Sequence, residues 1–117
     1  MNDITRIDSN KRMSRVVIHN NVVYVAGVTS SDHAQDAAVQ TRDVLKTIDE
    51  LLAKAGTDKS RLLTAQIWLR DIDRDFAAMN GAWEEWVDGD NIPTRATCEA
   101  HMAAPHVLVE IIVTAGL

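Results

Sequence analysis

The sequence predicts an α+β fold in which two helices cover one face of a mixed, mostly antiparallel sheet. Two helical patterns are separated and flanked by stretches rich in β-branched residues, in the order β-β-β-α-β-α-β-β. Runs of successive strands combined with two helices are typical of this class. The length of 117 residues, with 46% hydrophobic and 25% charged side chains, fits one compact domain over residues 1–117.

The first part of the chain predicts three strands. We expect them at Thr5–Asp8, Val16–Asn20 and Val22–Val28, because these stretches alternate or are rich in β-branched residues. The dipeptide Asn20-Asn21 accepts the positive φ angles of a two-residue hairpin turn. The third stretch is apolar at successive positions, so both of its faces are expected to be buried.

The first helix is predicted from a cluster of capping residues followed by one apolar stripe. Thr29-Ser30-Ser31-Asp32 supplies the side chains that cap helix N-termini, and Gly56 ends the pattern as a C-terminal cap. The apolar residues between them recur at three- and four-residue steps: Val39, Val44, Leu45, Ile48, Leu51 and Leu52.

The second half of the chain predicts a strand, a shorter helix and two final strands. Leu62–Leu69 is the strand, and Asp71-Ile72-Asp73 then turns the chain. Phe76, Met79, Trp83 and Trp86 mark the helix, which Asn91-Ile92-Pro93 ends. The final strands are Thr94–His101 and Val107–Thr114, joined by a turn at Ala103-Ala104-Pro105.

The second face of the predicted sheet needs a cover that two helices cannot provide. Both Val22–Val28 and Val107–Val113 are apolar at successive positions, which indicates burial on both faces. A second copy of the same chain is the simplest cover for such a face. We therefore predict a closed homo-oligomer.

Charge and composition argue against several classes of partner. The net charge is −5, whereas proteins that bind nucleic acids usually present a basic surface. No apolar run approaches the roughly 20 residues of a membrane span, and the polar start of the chain is unlike a signal peptide. Cys98 is the single cysteine, so no intrachain disulfide can form, and a reducing, cytoplasmic location is expected.

Arg95 and Glu110 are the strongest candidates for chemistry. If the last two strands form a hairpin about Met102–Ala103, these residues become near cross-strand partners. A guanidinium there can hold a small carboxylate by two hydrogen bonds. A glutamate among aliphatic residues is expected to have a raised pKa, which suits proton transfer or the orientation of a water. The alternative is an ion pair that ties the hairpin together.

Gly27 and Asn80 are further candidates. A glycine inside an otherwise bulky strand marks a bulge, a simple bend or a place where a ligand approaches the backbone. Asn80, on the second helix, is suited to capping or supporting a neighbouring loop.

The remaining polar and aromatic candidates favour structural roles. Cys98 can be a nucleophile, but a single cysteine on an apolar strand usually packs in the interior. The four histidines, His19, His33, His101 and His106, lack metal-binding spacing, so no metal is expected. Asp71, Asp73 and Asp75 indicate a solvated turn, and Trp68, Trp83 and Trp86 indicate core or interface aromatics.

Several short motifs, in this order and spacing, resemble the Rid family (reactive intermediate deaminases, also called the YjgF family). They are VVYVAG, Gln40-Thr41 at the start of a helix that ends in Ala55-Gly56, IWLRDIDRDFAAMN, PTRATCEA and VEIIVTA. The most specific part is the P-x-R segment with a glutamate fifteen residues after its arginine. The resemblance covers the chain from about Arg12 to Ala115.

The resemblance implies a fold, an assembly and an activity. The fold would be chorismate-mutase-like (YjgF-type), and the assembly a homotrimer with ligand sites in clefts between subunits. Family members hydrolyse 2-imino acids, such as 2-iminobutanoate and 2-iminopropanoate, and their enamine tautomers to 2-oxo acids and ammonia without a cofactor. By position, Arg95 would bind the substrate carboxylate, Glu110 would orient the attacking water and the Gly27 backbone would line the pocket.

The sequence also departs from the family pattern in the residues around this site. Met13 stands near the position of a family tyrosine, and Ala26 and Val28 replace a serine and a glutamine beside Gly27. Thr97 replaces a cysteine, and Cys98 is shifted by one position. The resemblance therefore implies a divergent branch, with Met13, Ala26 and Thr97 as substrate-binding positions.

Three functions remain open. The first is deamination of 2-imino acids by Arg95 and Glu110. The second is a non-catalytic module that uses the same arginine to bind a small carboxylate metabolite. The third is hydrolysis of another small enamine or amide in a catabolic pathway.

Overall fold

A seven-stranded sheet and two helices organise residues 3–117, the part of the chain that this computed structural model describes. The α+β class predicted from the sequence is confirmed. A short 3₁₀ turn at Lys59–Arg61 follows the first helix. The helices are α1 (Ala37–Ala55) and α2 (Ile72–Trp86), and the strands are β1 (Thr5–Ser9), β2 (Ser14–His19), β3 (Val22–Val25), β4 (Val28–Thr29), β5 (Leu62–Leu69), β6 (Thr94–Glu99) and β7 (Val109–Gly116).

The strand order is β1-β2-β3-β7-β5-β6, with β4 extending β3 along β7. All neighbours are antiparallel except β5 and β6, which run parallel on either side of the α2 crossover. The predicted hairpin between the last two strands is therefore wrong, because β5 lies between β6 and β7. The strand β7 is more apolar than β6 and takes the central place in the sheet, while β6 is left at an edge.

The hydrophobic core lies between the helices and one face of the sheet. On β7, Val109, Ile111 and Val113 are buried on this face, whereas the residues between them are only half-buried. Helix α1 contributes Ile48 and Leu52 to the same core. The outer face of the sheet, away from the helices, is only partly covered; Tyr24, for example, is 48% exposed.

The predicted third strand is interrupted at Ala26 and Gly27. Tyr24 pairs with Thr114 and Val28 pairs with Ile111, so the β3–β4 side holds one extra residue, which is a β-bulge. One of the alternatives that the sequence left open for Gly27 is therefore confirmed. The hairpin turn at Asn20-Asn21 is also confirmed, with φ angles of 51° and 63°.

Helix α1 begins later than the sequence predicts. Its N-cap is Asp36, whose Oδ1 accepts a hydrogen bond from the Val39 amide at 3.1 Å. Ser30, from the predicted capping cluster, instead donates its hydroxyl to Asp43 at 2.6 Å. The C-cap prediction is confirmed, because Gly56 adopts the left-handed φ of 86°.

Helix α2 begins at Ile72, within the predicted turn, and this changes which residues face the core. Asp71 is its N-cap and accepts a hydrogen bond from the Arg74 amide at 3.0 Å. Asp75 then shares a buried face with Met79, so the predicted solvated turn at Asp71–Asp75 is wrong. Phe76 follows Asp75 by one residue, so it lies outside this buried face and is 42% exposed.

Candidate functional site

Arg95 lies on the edge strand β6 and points towards the helices. Its register partner on β5 is Ala65, which is buried on the helix face of the sheet. The Arg95 Nη2 atom donates a hydrogen bond to Asn80 Oδ1 on α2 at 2.7 Å. The guanidinium carbon lies 5.7 Å from the centroid of the Trp83 ring, which is a cation–π contact. These contacts hold Arg95 beside a cavity of about 370 Å³ that Pro93 also lines.

Thr97 follows Arg95 on the same face of β6, two residues along the strand. Its Oγ1 atom is buried and has no hydrogen-bond partner among residues 3–117. Buried hydroxyls are normally paired, so an unpaired donor and acceptor next to Arg95 is unusual. We call Asn80, Trp83, Arg95 and Thr97 the arginine half-site.

Glu110 lies on β7 and points to the opposite, outer face of the sheet. It pairs with Thr29 on β4 and with Trp68 on β5. Its side chain lies over the bulge, because a Cβ atom built on Gly27 would overlap the Glu110 carboxylate and lie 3.2 Å from its Cδ. The sequence signal of a glycine in a bulky strand therefore marks a close approach by another side chain of the same chain.

Ala26 precedes Gly27 in the bulge, and Met13 precedes the neighbouring strand β2. The Ala26 amide donates to the Arg15 carbonyl at 2.9 Å, which places the start of β2 alongside the bulge. Met13 immediately precedes β2 and its side chain is exposed. We call Met13, Ala26, Gly27 and Glu110 the glutamate half-site.

Partial burial raises the pKa of the Glu110 carboxyl above its ordinary value. A carboxylate in such surroundings accepts a proton more readily than a fully hydrated one, which suits a general base.

Cys98 lies on β6, two strands away from Glu110. Glu110 pairs with Trp68 on β5, and Trp68 pairs in turn with Cys98. Cys98 is exposed, so its predicted packing in the interior is wrong within this chain.

Arg95 and Glu110 are not cross-strand partners, and this part of the sequence analysis is wrong. Across β5, the residue in register with Arg95 is Val113, which is three residues from Glu110. The two Cα atoms are therefore separated by about 10 Å along the strands and about 10 Å across them, and the side chains point to opposite faces. Within one chain the pair forms neither a shared crevice nor the ion pair considered as the alternative.

Two structural roles had no clear sequence signal. Asn80 supports Arg95 on a strand, and not a loop as predicted. The sequence analysis did not predict the contact of Trp83 with Arg95, although Trp83 follows Asn80 by three residues and so lies on the same side of the helix.

His33 and His106 stack with ring centroids 3.8 Å apart. Residues 3–117 contain no group of three or more His, Cys, Asp or Glu placed to hold a metal ion.

Replacing Gly27 by alanine is expected to displace the Glu110 carboxylate. The new methyl group would occupy the place of that carboxylate, and the flexible end of the side chain would swing away. If this carboxylate acts on a bound substrate, catalytic efficiency should fall on the order of tenfold to a hundredfold, as expected when a reacting group is displaced by about 1 Å. The free energy of unfolding should change by no more than about 1 kcal/mol, because the backbone φ at Gly27 is not positive.

Gly81→Ala is the matched control for this substitution. A Cβ atom at Gly81 meets nothing within 4 Å, and the residue lies inside α2. Alanine should therefore stabilise the protein by roughly 0.5–1 kcal/mol and leave the activity unchanged. Equal activities of the Gly27→Ala variant and the unmodified protein would show that the position of the Glu110 carboxylate is irrelevant. Both quantities are read from steady-state kinetics and denaturant unfolding.

Neither helix in the described part of the chain is long and apolar enough to cross a membrane.

Comparison with known proteins gives one consistent family. The family model named Endoribonuclease L-PSP matches residues 3–117. A RutC family protein of Haemophilus influenzae is 51% identical over 113 residues, which are 96% of this chain and 97% of the relative. A 3-aminoacrylate deaminase RutC of Acinetobacter baylyi is 35% identical over 97 residues, 78% of this chain and 75% of that protein.

The solved structures agree with the sequence relatives. A crystal structure of a YjgF family protein from Neisseria meningitidis matches with a TM-score of 0.94 and 41% identity, covering 97% of this chain and 94% of the other. A second YjgF family structure, from Mycobacterium tuberculosis, has a TM-score of 0.88 and 30% identity, covering 98% and 100%. The strand order, the two helices and these relatives together show that this chain belongs to the YjgF/RutC (Rid) family.

Proposed function

We propose that this protein hydrolyses 2-imino acids and their enamine tautomers to 2-oxo acids and ammonia. The observation that carries the proposal is the fixed guanidinium of Arg95, which Asn80 and Trp83 hold at the edge of a cavity. Only one of its donor nitrogens is used by Asn80, so others remain for a carboxylate. Family membership supports the reaction class, since one relative bears the name 3-aminoacrylate deaminase.

The proposed chemistry divides into holding the substrate and delivering water. Arg95 binds the carboxylate and so fixes the orientation of the neighbouring C=N bond. Glu110, with its raised pKa, accepts a proton from water as the oxygen attacks the imine carbon, and it passes this proton to the imine nitrogen to give a carbinolamine. Glu110 then accepts the hydroxyl proton of the carbinolamine and delivers it to the amino nitrogen, so the C–N bond breaks, ammonia leaves and the C–OH carbon becomes the carbonyl of the 2-oxo acid.

The opposite orientations of Arg95 and Glu110 require a second chain in this proposal. We place the reaction in clefts between the subunits of a homotrimer, where the arginine half-site of one subunit faces the glutamate half-site of the next. Two features support the arrangement. The strand β6 is a sheet edge with mostly exposed side chains, and the outer sheet face is only partly covered by its own chain.

The activity is tested with imino acids generated in situ by an amino-acid oxidase. The purified protein should accelerate the release of ammonia over the rate of spontaneous hydrolysis, with no added metal or cofactor. The control is the same mixture without the protein, because free imines hydrolyse in water by themselves. The proposed activity is wrong if the protein hydrolyses no imino acid faster than the control mixture does. Saturable binding of small carboxylates in that case would favour a non-catalytic binding module.

A second candidate is hydrolysis of another small enamine. It is favoured by the relative named 3-aminoacrylate deaminase, because 3-aminoacrylate is itself an enamine that carries a carboxylate. The same Arg95 and Glu110 would serve this substrate. Turnover of 3-aminoacrylate with no turnover of 2-imino acids would favour this candidate over the first.

A further inference from the structure

Among residues 3–117, Trp83 is the aromatic residue that makes a cation–π contact with the Arg95 guanidinium. Trp83 is 4% exposed, and its ring centroid lies 5.7 Å from the guanidinium carbon. Arg95 belongs to an exposed edge strand, where an arginine side chain is normally free to sample many rotamers. The indole face therefore restricts a side chain that the strand alone would leave mobile.

The ring of Trp83 is itself held by other elements of the fold. Trp86 packs against it with ring centroids 5.5 Å apart and an interplanar angle of 50°. Trp86 is fixed in turn, because its Nε1 donates to Asp49 Oδ2 on α1 at 2.9 Å and the Lys59 ammonium lies 5.2 Å from its ring. This series of contacts anchors the surface beneath Arg95 to the packing of α1 against α2.

The two supports of Arg95 restrict it in different directions. The side-chain carbonyl of Asn80 accepts a hydrogen bond from Nη2, at the edge of the guanidinium. The central carbon of the guanidinium, in contrast, lies over the Trp83 ring. A cation–π contact uses no N–H donor, so it restrains the group without competing for the hydrogen bonds that a carboxylate needs. Asn80 alone leaves the guanidinium free to rotate about a single hydrogen bond.

We propose that Trp83 is a positioning residue, whose ring pre-organises Arg95 for binding the carboxylate of the substrate. This inference rests on the proposed function, in which Arg95 binds that carboxylate. Pre-organisation lowers the entropy that binding must otherwise remove from the arginine side chain. Loss of the ring should consequently weaken carboxylate binding and raise KM, with a smaller effect on kcat.

The test compares Trp83→Leu with Trp83→Phe. Calorimetry measures the affinity of each variant for 2-oxobutanoate, a small 2-oxo acid of the proposed product class, and steady-state kinetics measures KM and kcat. Removal of the ring in Trp83→Leu should weaken binding on the order of tenfold and raise KM in parallel. Trp83→Phe keeps an aromatic face and should stay within about threefold of the unmodified protein.

Ile48→Val controls for general loosening of the helices. Ile48 is fully buried on α1 and is not one of the contacts that hold Trp83 or Arg95, so stability should fall while affinity stays within about twofold. Equal affinities of the Trp83→Leu variant and the unmodified protein would overturn this inference alone, as would an equal loss of affinity in Ile48→Val. If the unmodified protein binds neither 2-oxobutanoate nor any other small carboxylate, both this inference and the proposed function are wrong.

Discussion

Replacing Arg95 by alanine is expected to reduce kcat/KM for imino acid hydrolysis by at least about a hundredfold, with the fold intact. The substitution removes a charge-assisted pair of hydrogen bonds to the carboxylate and, with it, the orientation of the reacting bond. Arg95 is exposed on an edge strand, so the free energy of unfolding should change by no more than about 0.5 kcal/mol. Ammonia release and thermal unfolding of the same preparations measure the two effects.

Arg95→Lys separates the charge of this residue from its shape. Lysine keeps the positive charge but has no planar fork, and it cannot keep the same hydrogen bond to Asn80 while it binds both carboxylate oxygens. We expect an activity between those of the alanine variant and the unmodified protein. Full activity in Arg95→Ala would show that the carboxylate is bound elsewhere.

Glu110→Gln is expected to reduce kcat by about a hundredfold to ten-thousandfold, which is the usual contribution of a general base. Glutamine has nearly the same size and can still lie over Gly27, but it cannot accept a proton from water. Carboxylate binding should stay close to that of the unmodified protein, because Arg95 is untouched. A kcat within a few-fold of normal would remove Glu110 from the mechanism.

The raised pKa of Glu110 also gives this prediction a pH signature. The folded protein holds the Glu110 proton more tightly than the unfolded chain does, because the pKa of Glu110 is higher in the folded state. The stability that this group contributes is therefore present below the pKa of the unfolded state and is lost as the pH rises through the pKa of the folded state. Glu110→Gln should therefore be at least as stable as the unmodified protein at pH 7, and this advantage should disappear in acid. Activity should fall in acid at a higher pH than an ordinary glutamate would give, and Glu110→Gln should lack this acid-side fall.

Local signals in the sequence predicted the elements of the fold well. Leu62–Leu69 is a strand with the predicted bounds, Gly56 ends α1, and Asn20-Asn21 forms the hairpin turn. Each of these depends on backbone preferences or periodicity within a few residues. The N-cap of α1 was misplaced because several consecutive Ser, Thr and Asp side chains before it can all cap a helix.

Strand order and side-chain facing could not be predicted in the same way. The connection between β6 and β7 contains an Ala-Ala-Pro turn signal, and nothing local reveals that β5 inserts between the two strands. Because the side chains of a strand alternate, the face of Arg95 is defined only once its register with β5 is known. Local patterns singled out Arg95, Glu110 and Gly27 and the resemblance implied their roles, whereas their division into two half-sites required coordinates.

Mixing two inactive variants tests the central claim, that one site uses Arg95 and Glu110 from different subunits. Arg95→Ala and Glu110→Gln are dissociated, combined in equal amounts and reassembled, and ammonia release is measured. Random assembly places an intact arginine half-site against an intact glutamate half-site at about a quarter of the interfaces, so about a quarter of the normal activity should return. A mixed assembly as inactive as its two parents would contradict the account.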